Sequence, residues 1–376
     1  MVFLFWFSLF IIFYAYLGYP LTLLLISVFK KNRINYSNDP ITPAVSLLIS
    51  AYNEEEAIEE KILNSLKIYY PKESLEIVVV SDGSDDRTDE IVKRFSNQGV
   101  ILKSYEGRIG KTECINKTIP SLKGEIIVFS DANSRYDKNA IKELVKHFSN
   151  EKVGFVTGCT KYFLKKDDMG LYSISIYSKL ENFTKTLESQ VSSCVGADGA
   201  IFAIRKNLFE PLDRLDINDL VIPFNIIKRG YRGLFDEEAT CFEQPAQSLD
   251  AEFRRQTRIA NRTLSTILRH KKFLNPFLTG LFSFELVSHK LCKLLVPFAL
   301  LSLFVANVFL VSSNPVYIVT LSGQIAFYLI PWLKNVYRIS RWVAMCKSFA
   351  VVNLAILYGW IQWVRGDTYE IWETIR

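Results

Sequence analysis

Ile77-Val78-Val79-Val80-Ser81-Asp82 and Ile126-Ile127-Val128-Phe129-Ser130-Asp131 decide the fold. Each is a short unbroken apolar run ending in an aspartate, the pattern of a strand buried on both faces of a parallel sheet. Around them strands and helices alternate from Ala44 to about Glu243. Strands are predicted at 45–50, 76–80, 100–103, 125–130 and 153–158, with helices at 54–68, 85–96, 111–119 and 137–149. Such alternation predicts βαβ units and an α/β domain with a parallel sheet. Ligands of these sheets bind beyond the carboxyl ends of the strands, so Asp82 and Asp131 mark the expected site. Two carboxylates there suit a phosphorylated ligand held together with a metal.

The 376 residues carry 45 Lys and Arg against 39 Asp and Glu, and their apolar content is unevenly spread. No charge falls between Met1 and Phe29, or between Leu294 and Leu333. The first stretch is long enough to cross a bilayer once; the second, split at Ser312–Pro315, twice. A further candidate runs from about Trp342 to Val364, interrupted by Lys347. The amino terminus lacks the basic start and small-residue cleavage site of a signal peptide, so it reads as an anchor. Lys30, Lys31 and Arg33 follow the first span, and Lys334, Arg338 and Arg341 follow the second of the two in 294–333. That places the middle of the chain in the cytoplasm, as an integral protein of a bacterial-type inner or plasma membrane. The net charge of +6 then reads as attraction to a lipid surface, with no nucleic acid implied. Six isolated cysteines without a CxxC pair give no zinc or disulfide framework.

The expected organisation is an anchor at 1–29, a linker at 30–43 and a domain at 44–250. Amphipathic interface helices follow at 251–292, and a region of about three membrane helices at 293–376. The interface segment is expected from Phe253 to Phe273, which holds seven basic residues, no acid, and apolar residues at helical spacing.

Chemistry-bearing residues cluster where strands end. Ala51-Tyr52-Asn53-Glu54 follows the first strand; Asn53 and Glu54 suit hydrogen bonding to a base or ribose, or a helix N-cap with first-turn acids. In Ser81-Asp82-Gly83-Ser84-Asp85, Ser84 or Asp85 can cap the next helix, which leaves Asp82 without a structural duty and with an expected ligand role. Asp131-Ala132-Asn133 offers a carboxylate and an amide to a hard cation such as Mg2+ or Mn2+, and is also compatible with an Asx-turn. Gly107-Arg108-Ile109-Gly110-Lys111-Thr112 departs from a P-loop, which requires glycine where Tyr105 stands, but Lys111 can contact a diphosphate from a helix start. Cys194-Val195-Gly196-Ala197-Asp198-Gly199-Ala200 permits close approach of backbone to a ligand, or makes a bulge. Asp219 is a general base or a first-turn helix acid; spacing alone does not separate the two.

Taken together, from about Pro43 to Arg262, these segments resemble the membrane-bound family 2 glycosyltransferases, which include cellulose and hyaluronan synthases and exopolysaccharide transferases. The resemblance implies a GT-A (Rossmann-like) α/β fold, a nucleotide-diphosphate sugar donor with a UDP-sugar expected, and Mg2+ or Mn2+. It also implies a saccharide or lipid-linked acceptor. It assigns Ala51, Tyr52, Asn53, Glu54, Asp82, Lys111, Asp131 and Arg258 to the donor. Asp131 and Asn133 go to the metal, Gly196, Ala197, Asp198 and Gly199 to the acceptor side, and Asp219 becomes the catalytic base of an inverting transfer.

Three departures accompany it. The metal motif reads Asp-Ala-Asn where the family has Asp-x-Asp, and the base motif reads Ile217-Asn218-Asp219 where the family has Thr-Glu-Asp. In place of Gln-x-x-Arg-Trp stands Arg255-Gln256-Thr257-Arg258-Ile259, with arginine for the glutamine and isoleucine for the tryptophan. Single addition of a sugar is therefore expected ahead of processive polymerisation. A transporter, or a non-catalytic membrane protein retaining the fold, is the competing class; charge-free C-terminal spans and alternating strands argue against a pore.

Overall fold

The computed structural model describes residues 1–30, 41–163, 169–245, 248–329, 332, 341–367 and 369; for 169–176 and 341 only the backbone is considered. The apolar runs become β1 (Val45–Ala51), β2 (Leu75–Asp82), β3 (Val100–Tyr105) and β4 (Ile126–Asp131). β5 (Arg135–Tyr136), β6 (Val153–Tyr162), β7 (Phe202–Arg205) and β8 (Arg232–Glu243) complete one sheet in the order β3-β2-β1-β4-β7-β6-β8-β5. β1 lies parallel between β2 and β4, with Ala51 opposite Ser81 and Ser50 opposite Asp131. The two aspartates thus end the strands flanking β1, where the strand order reverses and ligands bind.

The unbroken apolar runs are explained by burial on two sides. Leu47, Ile49, Val79 and Val128 join one core, and Leu48, Val78, Ile127 and Phe129 join the other. The first core packs beneath α3 (Ile58–Ser65), α4 (Thr88–Lys93) and α6 (Ala140–Lys146); the second beneath α5 (Lys111–Thr118) and α8 (Asn218–Lys228). Alternate residues of one strand serve the two faces, which is the period of a β-strand.

The expectation of a parallel sheet needs correction beyond β4. β7 is antiparallel to both β4 and β6. Its direction follows from its entry point: the glycine-rich loop sits at the carboxyl end of β4, so Phe202 pairs with Phe129 and the chain runs back until Arg205 meets Ile126. The helix predicted at 54–68 is confined to Ile58–Ser65 because Asn53 adopts φ +49° and turns the chain first. A long helix, α7 (Met169–Val191), has no counterpart among the predicted elements.

Among the described residues three helices are long and apolar enough to cross a membrane: Val2–Phe29, Leu281–Leu310 and Trp342–Arg365; Pro315–Leu329 is a shorter apolar helix. The first joins α1 (Val2–Phe13) to α2 (Tyr19–Phe29) through a π-helical turn. The boundary expected at 292/293 falls inside the continuous helix Leu281–Leu310, so this candidate span begins earlier than Leu294. Its early turns carry His289 and Lys293, which face α7: the His289 ring nitrogens lie 2.6 Å from Glu188 Oε1 and 2.8 Å from Glu181 Oε1, and Lys293 donates to Glu181 at 2.7 Å. Lys31 and Arg33, the rest of the expected linker to Pro40, Lys334, Arg338 and Arg376 lie outside the described residues.

The expected basic helix forms as α9 (Leu249–Arg269). Its apolar residues Ala260, Leu264 and Ile267 share a core with Val195, Leu220 and Phe224 of the domain and with Phe282, Leu286, Leu294 and Ile356 of the candidate spans. Part of its basic face turns inward: Arg255 forks onto Glu252, and Arg269 reaches Asp213 and Asp216.

Candidate active site

The loops after β1 and β2 close on each other. Asn53 Nδ2 donates to Asp85 Oδ1 at 2.6 Å, the Asp85 amide donates back to Asn53 Oδ1 at 3.0 Å, and the Asn53 amide reaches Ser84 Oγ at 3.2 Å. Asparagine suits this position because its short amide tolerates the left-handed conformation. Glu54 is buried, with its amide donating to Thr88 Oγ1 at 2.8 Å. Tyr52 presents its ring to Arg108, whose guanidinium carbon is 3.6 Å from the ring centroid. Such a stack is a flat wall suited to a base or ribose.

Asp82 has a structural duty after all. It is 2% exposed, and its Oδ1 accepts the amides of Ile109 at 2.8 Å and Gly110 at 3.0 Å. Its carboxylate therefore holds the 107–110 loop at the start of α5, which hydrogen-bond bookkeeping along the strand alone could not reveal. Gly83 is required beside it: with φ +67°, a Cβ there would lie 2.5 Å from the Gly107 carbonyl oxygen.

From the start of α5, Lys111 Nζ donates to Asp131 Oδ1 at 2.5 Å. Asp131 is partly exposed and Asn133 exposed, on a turn closed by the Ser134 hydroxyl donating to the Asp131 carbonyl at 2.9 Å. Among the described residues no three His, Cys, Asp or Glu are grouped to hold a metal. One carboxylate and one amide do not make a protein cage. They fit a cation that takes its remaining oxygens from a bound diphosphate, which is how Mg2+ is commonly held.

The second wall comes from distant segments. The Ala197 amide donates to the Asp219 carbonyl at 2.7 Å, and the Asp198 amide to Thr157 Oγ1 at 2.7 Å. Gly196 lies against Leu220, and a Cβ on Gly199 would sit 3.0 Å from Asp219 Oδ2. Glycine at 199 therefore leaves the Asp219 carboxylate its space. Asp219 stands in the first turn of α8, the position of its reading as a first-turn helix acid. Among the described residues its Oδ1 has no hydrogen-bond partner. Burial pushes the Asp219 carboxyl above its ordinary range, while Lys111 and Arg262 pull it down and Asp198 and Asp131 push it up. Lys111, Asp131, Asp198 and Arg262 thus share one electrostatic site with Asp219. Arg258 is half-buried on α9, one turn before Arg262, so the two share a helix face.

Several site residues escaped the sequence reading. Arg108 lay inside the Gly107–Thr112 segment but was read for its glycines and lysine. Arg262, which donates to the Asp216 carbonyl at 3.3 Å, is signalled by its spacing from Arg258. Asp216 is buried, held at Oδ1 by Arg269 and the His270 ring, each at 2.9 Å, and its carbonyl accepts Thr112 Oγ1 from α5 at 3.0 Å. Glu243 ends β8; burial, with Asp131 and Asp198 nearby, pushes it up to about 8. Lys61 is 1% exposed beneath the Asp131 turn, and burial pulls its ammonium down to about 7. A lysine in mid-helix is ordinarily solvated, so nothing in the sequence separates it from its neighbours.

Residues 46–212 match the family described as Glycosyl transferase family 2. Over that stretch the chain is similar to the family 2 glycosyltransferases. It is 30% identical over 249 residues to the probable glycosyltransferase YdaM of Bacillus subtilis, covering 62% of this chain and 58% of that one. It is 24% identical over 249 residues to a poly-beta-1,6-N-acetyl-D-glucosamine synthase of Staphylococcus aureus, covering 65% and 59%. The chain thus spans under two thirds of the length of these relatives. The mannosyltransferase PcManGT of Pyrobaculum calidifontis, solved with GDP-Man and Mn2+, superposes with a TM-score of 0.71 over 96% of this chain and 99% of that one, at 21% identity. That likeness shows the fold: a GT-A α/β sheet with helices at both ends of the chain.

Proposed function

We propose that the chain is a membrane-bound inverting glycosyltransferase. It moves a sugar from a nucleoside-diphosphate sugar, with a UDP-sugar as the expected donor, to a saccharide or lipid-linked acceptor on the cytoplasmic side. The observation that carries this reading is the meeting of the Lys111–Asp131 pair with Asp219, whose Oδ1 lacks a partner among the described residues, at one edge of the sheet. The GDP-Man and Mn2+ of the Pyrobaculum enzyme support a nucleotide-sugar donor and a divalent ion; the Staphylococcus relative's name supports a saccharide product.

Tyr52 and Arg108 form the wall for the nucleoside, with Asn53 and Glu54 shaping the loop beside it. Asp82 acts by fixing the 107–110 backbone through the Ile109 and Gly110 amides, which sets Lys111 toward the diphosphate. A divalent cation held by Asp131 and Asn133 would supply charge neutralisation on the leaving group. Lys111 adds a fixed positive charge there, and Arg258 adds another from α9. Asp219 takes the proton of the acceptor hydroxyl, and its upward displacement by burial brings it nearer the working range of a general base. Attack from the side opposite the diphosphate inverts the anomeric centre. Gly196, Ala197, Asp198 and Gly199 bound the acceptor. The apolar helices at both ends hold the site at the bilayer surface, with the exposed basic residues of α9 toward the lipid headgroups.

Processive synthesis is the second reading, favoured by the name of the Staphylococcus relative and opposed by Arg255 and Ile259 at the motif positions. The test is to incubate membranes containing the chain with a panel of nucleotide-sugars and Mg2+ or Mn2+, then identify the labelled product. Divalent-dependent transfer of one sugar with inverted configuration is the expected result; a polymer selects the second reading, and no transfer from any donor contradicts both.

A further inference from the structure

Lys61 of α3 is among the largest fully buried side chains of the molecule, and its hydrogen bonds go to neutral groups, with the Asp131 and Glu243 carboxylates acting on its charge from further off. Its ammonium instead donates to Ser130 Oγ at 2.7 Å, to the Ser134 carbonyl at 2.6 Å and, more weakly, to Ser134 Oγ at 3.4 Å. It also lies 4.1 Å from the centroid of the Tyr136 ring. A buried ammonium without a directly paired counter-ion is costly to keep, so a plain core lysine would be replaced readily by an apolar residue of its size.

What it grips is specific. Ser130 and Ser134 are the residues immediately before and three after Asp131, so one ammonium staples both ends of the turn that presents Asp131 and Asn133. One helical turn along, Asn64 grips the same segment: its Nδ2 donates to the Tyr136 carbonyl at 2.9 Å and its Oδ1 accepts the Tyr136 amide at 2.8 Å. Tyr136 in turn donates its hydroxyl to the carbonyls of Phe129 at 2.8 Å and Ala200 at 3.1 Å. Ala200 follows Gly199, the residue beneath Asp219. The node therefore touches the metal-facing turn on one side and the acceptor loop on the other.

We infer that Lys61 is a positioning residue that sets the Asp131–Asn133 turn for a divalent cation. Groups behind the ligands fix the ligands' orientation, and loss of such a group costs about 10–100-fold in metal affinity. The inference rests on the reading of Asp131 as the cation's ligand, and the test separates the two.

Full-length protein in detergent is prepared as the parent and as Lys61→Met, Ser130→Ala and Asp131→Ala. Free Mn2+ is followed by its electron paramagnetic resonance signal during titration in the presence of UDP, and folding by thermal denaturation. Asp131→Ala is expected to lose the UDP-dependent Mn2+ binding. Lys61→Met is expected to weaken it about 10–100-fold in the folded protein, and Ser130→Ala about tenfold, as for loss of one hydrogen bond to a charged group. A purely structural lysine would lower the melting temperature and leave Mn2+ affinity at the parental value; that result overturns the inference while Asp131 stands. Unchanged binding in Asp131→Ala overturns the metal reading itself. Should Lys61→Met fail to fold, Ser130→Ala decides, and parental Mn2+ affinity in it rejects the inference.

Discussion

The two walls proposed for the site, one for the donor and one for the acceptor, are built differently. The donor wall is local: β1, β2 and β4 end side by side, and each delivers its residues within a few positions of the strand end. The acceptor wall is assembled from the 194–199 loop, the start of α8 and α9, segments far apart in the chain and joined to the candidate membrane helices through one apolar core. The donor wall is held by hydrogen bonds between neighbouring loops, as Asn53 with Asp85 or Asp82 with Gly110. The acceptor wall is held by helix packing and by Arg269 of α9 and the His270 ring that follows it, both closing on Asp216. Damage to the first should therefore read out as lost donor affinity, and damage to the second as lost turnover.

The largest expected effect lies at the base. Asp219→Asn should lower kcat about 10²–10⁴-fold, the range for removing a general base, with the KM for donor unchanged. A parallel rise in KM would erase the distinction between the walls. Next comes Lys111→Met, which removes a fixed charge from the leaving group and should lower kcat/KM about 10²–10³-fold with weakened donor binding. Equilibrium binding of the nucleoside diphosphate checks it.

Gly199→Ala tests the acceptor wall sterically. Its methyl would press on Asp219 Oδ2 at 3.0 Å, and a roughly tenfold fall in kcat at parental donor affinity is expected. The smallest effect concerns stability. Glu243, held near 8 in the fold against an ordinary 4.5, favours the fold most when protonated. Its contribution is fully present below about 4.5 and is lost as pH rises through about 8. Glu243→Gln should therefore flatten the fall in melting temperature between pH 5 and 8.5; an identical fall in parent and variant would contradict the assignment.

The contrast between the walls also explains how much could be read in the sequence. β1, β2 and β4 were legible because two-sided burial leaves an unbroken apolar run, and their terminal aspartates stand out against it. Lys111 and Asp131 were found one by one, though their pairing was not. Asp219 was ambiguous because a base at a helix start has the same local pattern as a first-turn acid. β7 is not among the predicted strands, and its antiparallel direction depends on where the chain enters the sheet, which Phe202-Ala203-Ile204 does not record. α9 reads as a membrane-facing basic helix, yet Arg262 and Arg269 answer to Asp216, a partner that only the folded chain brings near, while Arg255 pairs with Glu252 three residues earlier on the same helix. Lys61 left no trace at all, since its burial is imposed by β4 and β5 and not by its own helix.

One comparison tests the account most directly: UDP binding in the presence of Mn2+, measured side by side in Asp131→Ala and Asp219→Asn, with transfer assayed on the same preparations. Both variants are expected to lose transfer, with binding lost in Asp131→Ala and retained at the parental affinity in Asp219→Asn. Loss of binding in Asp219→Asn, or its survival in Asp131→Ala, would contradict the division of the site into a donor wall and an acceptor wall.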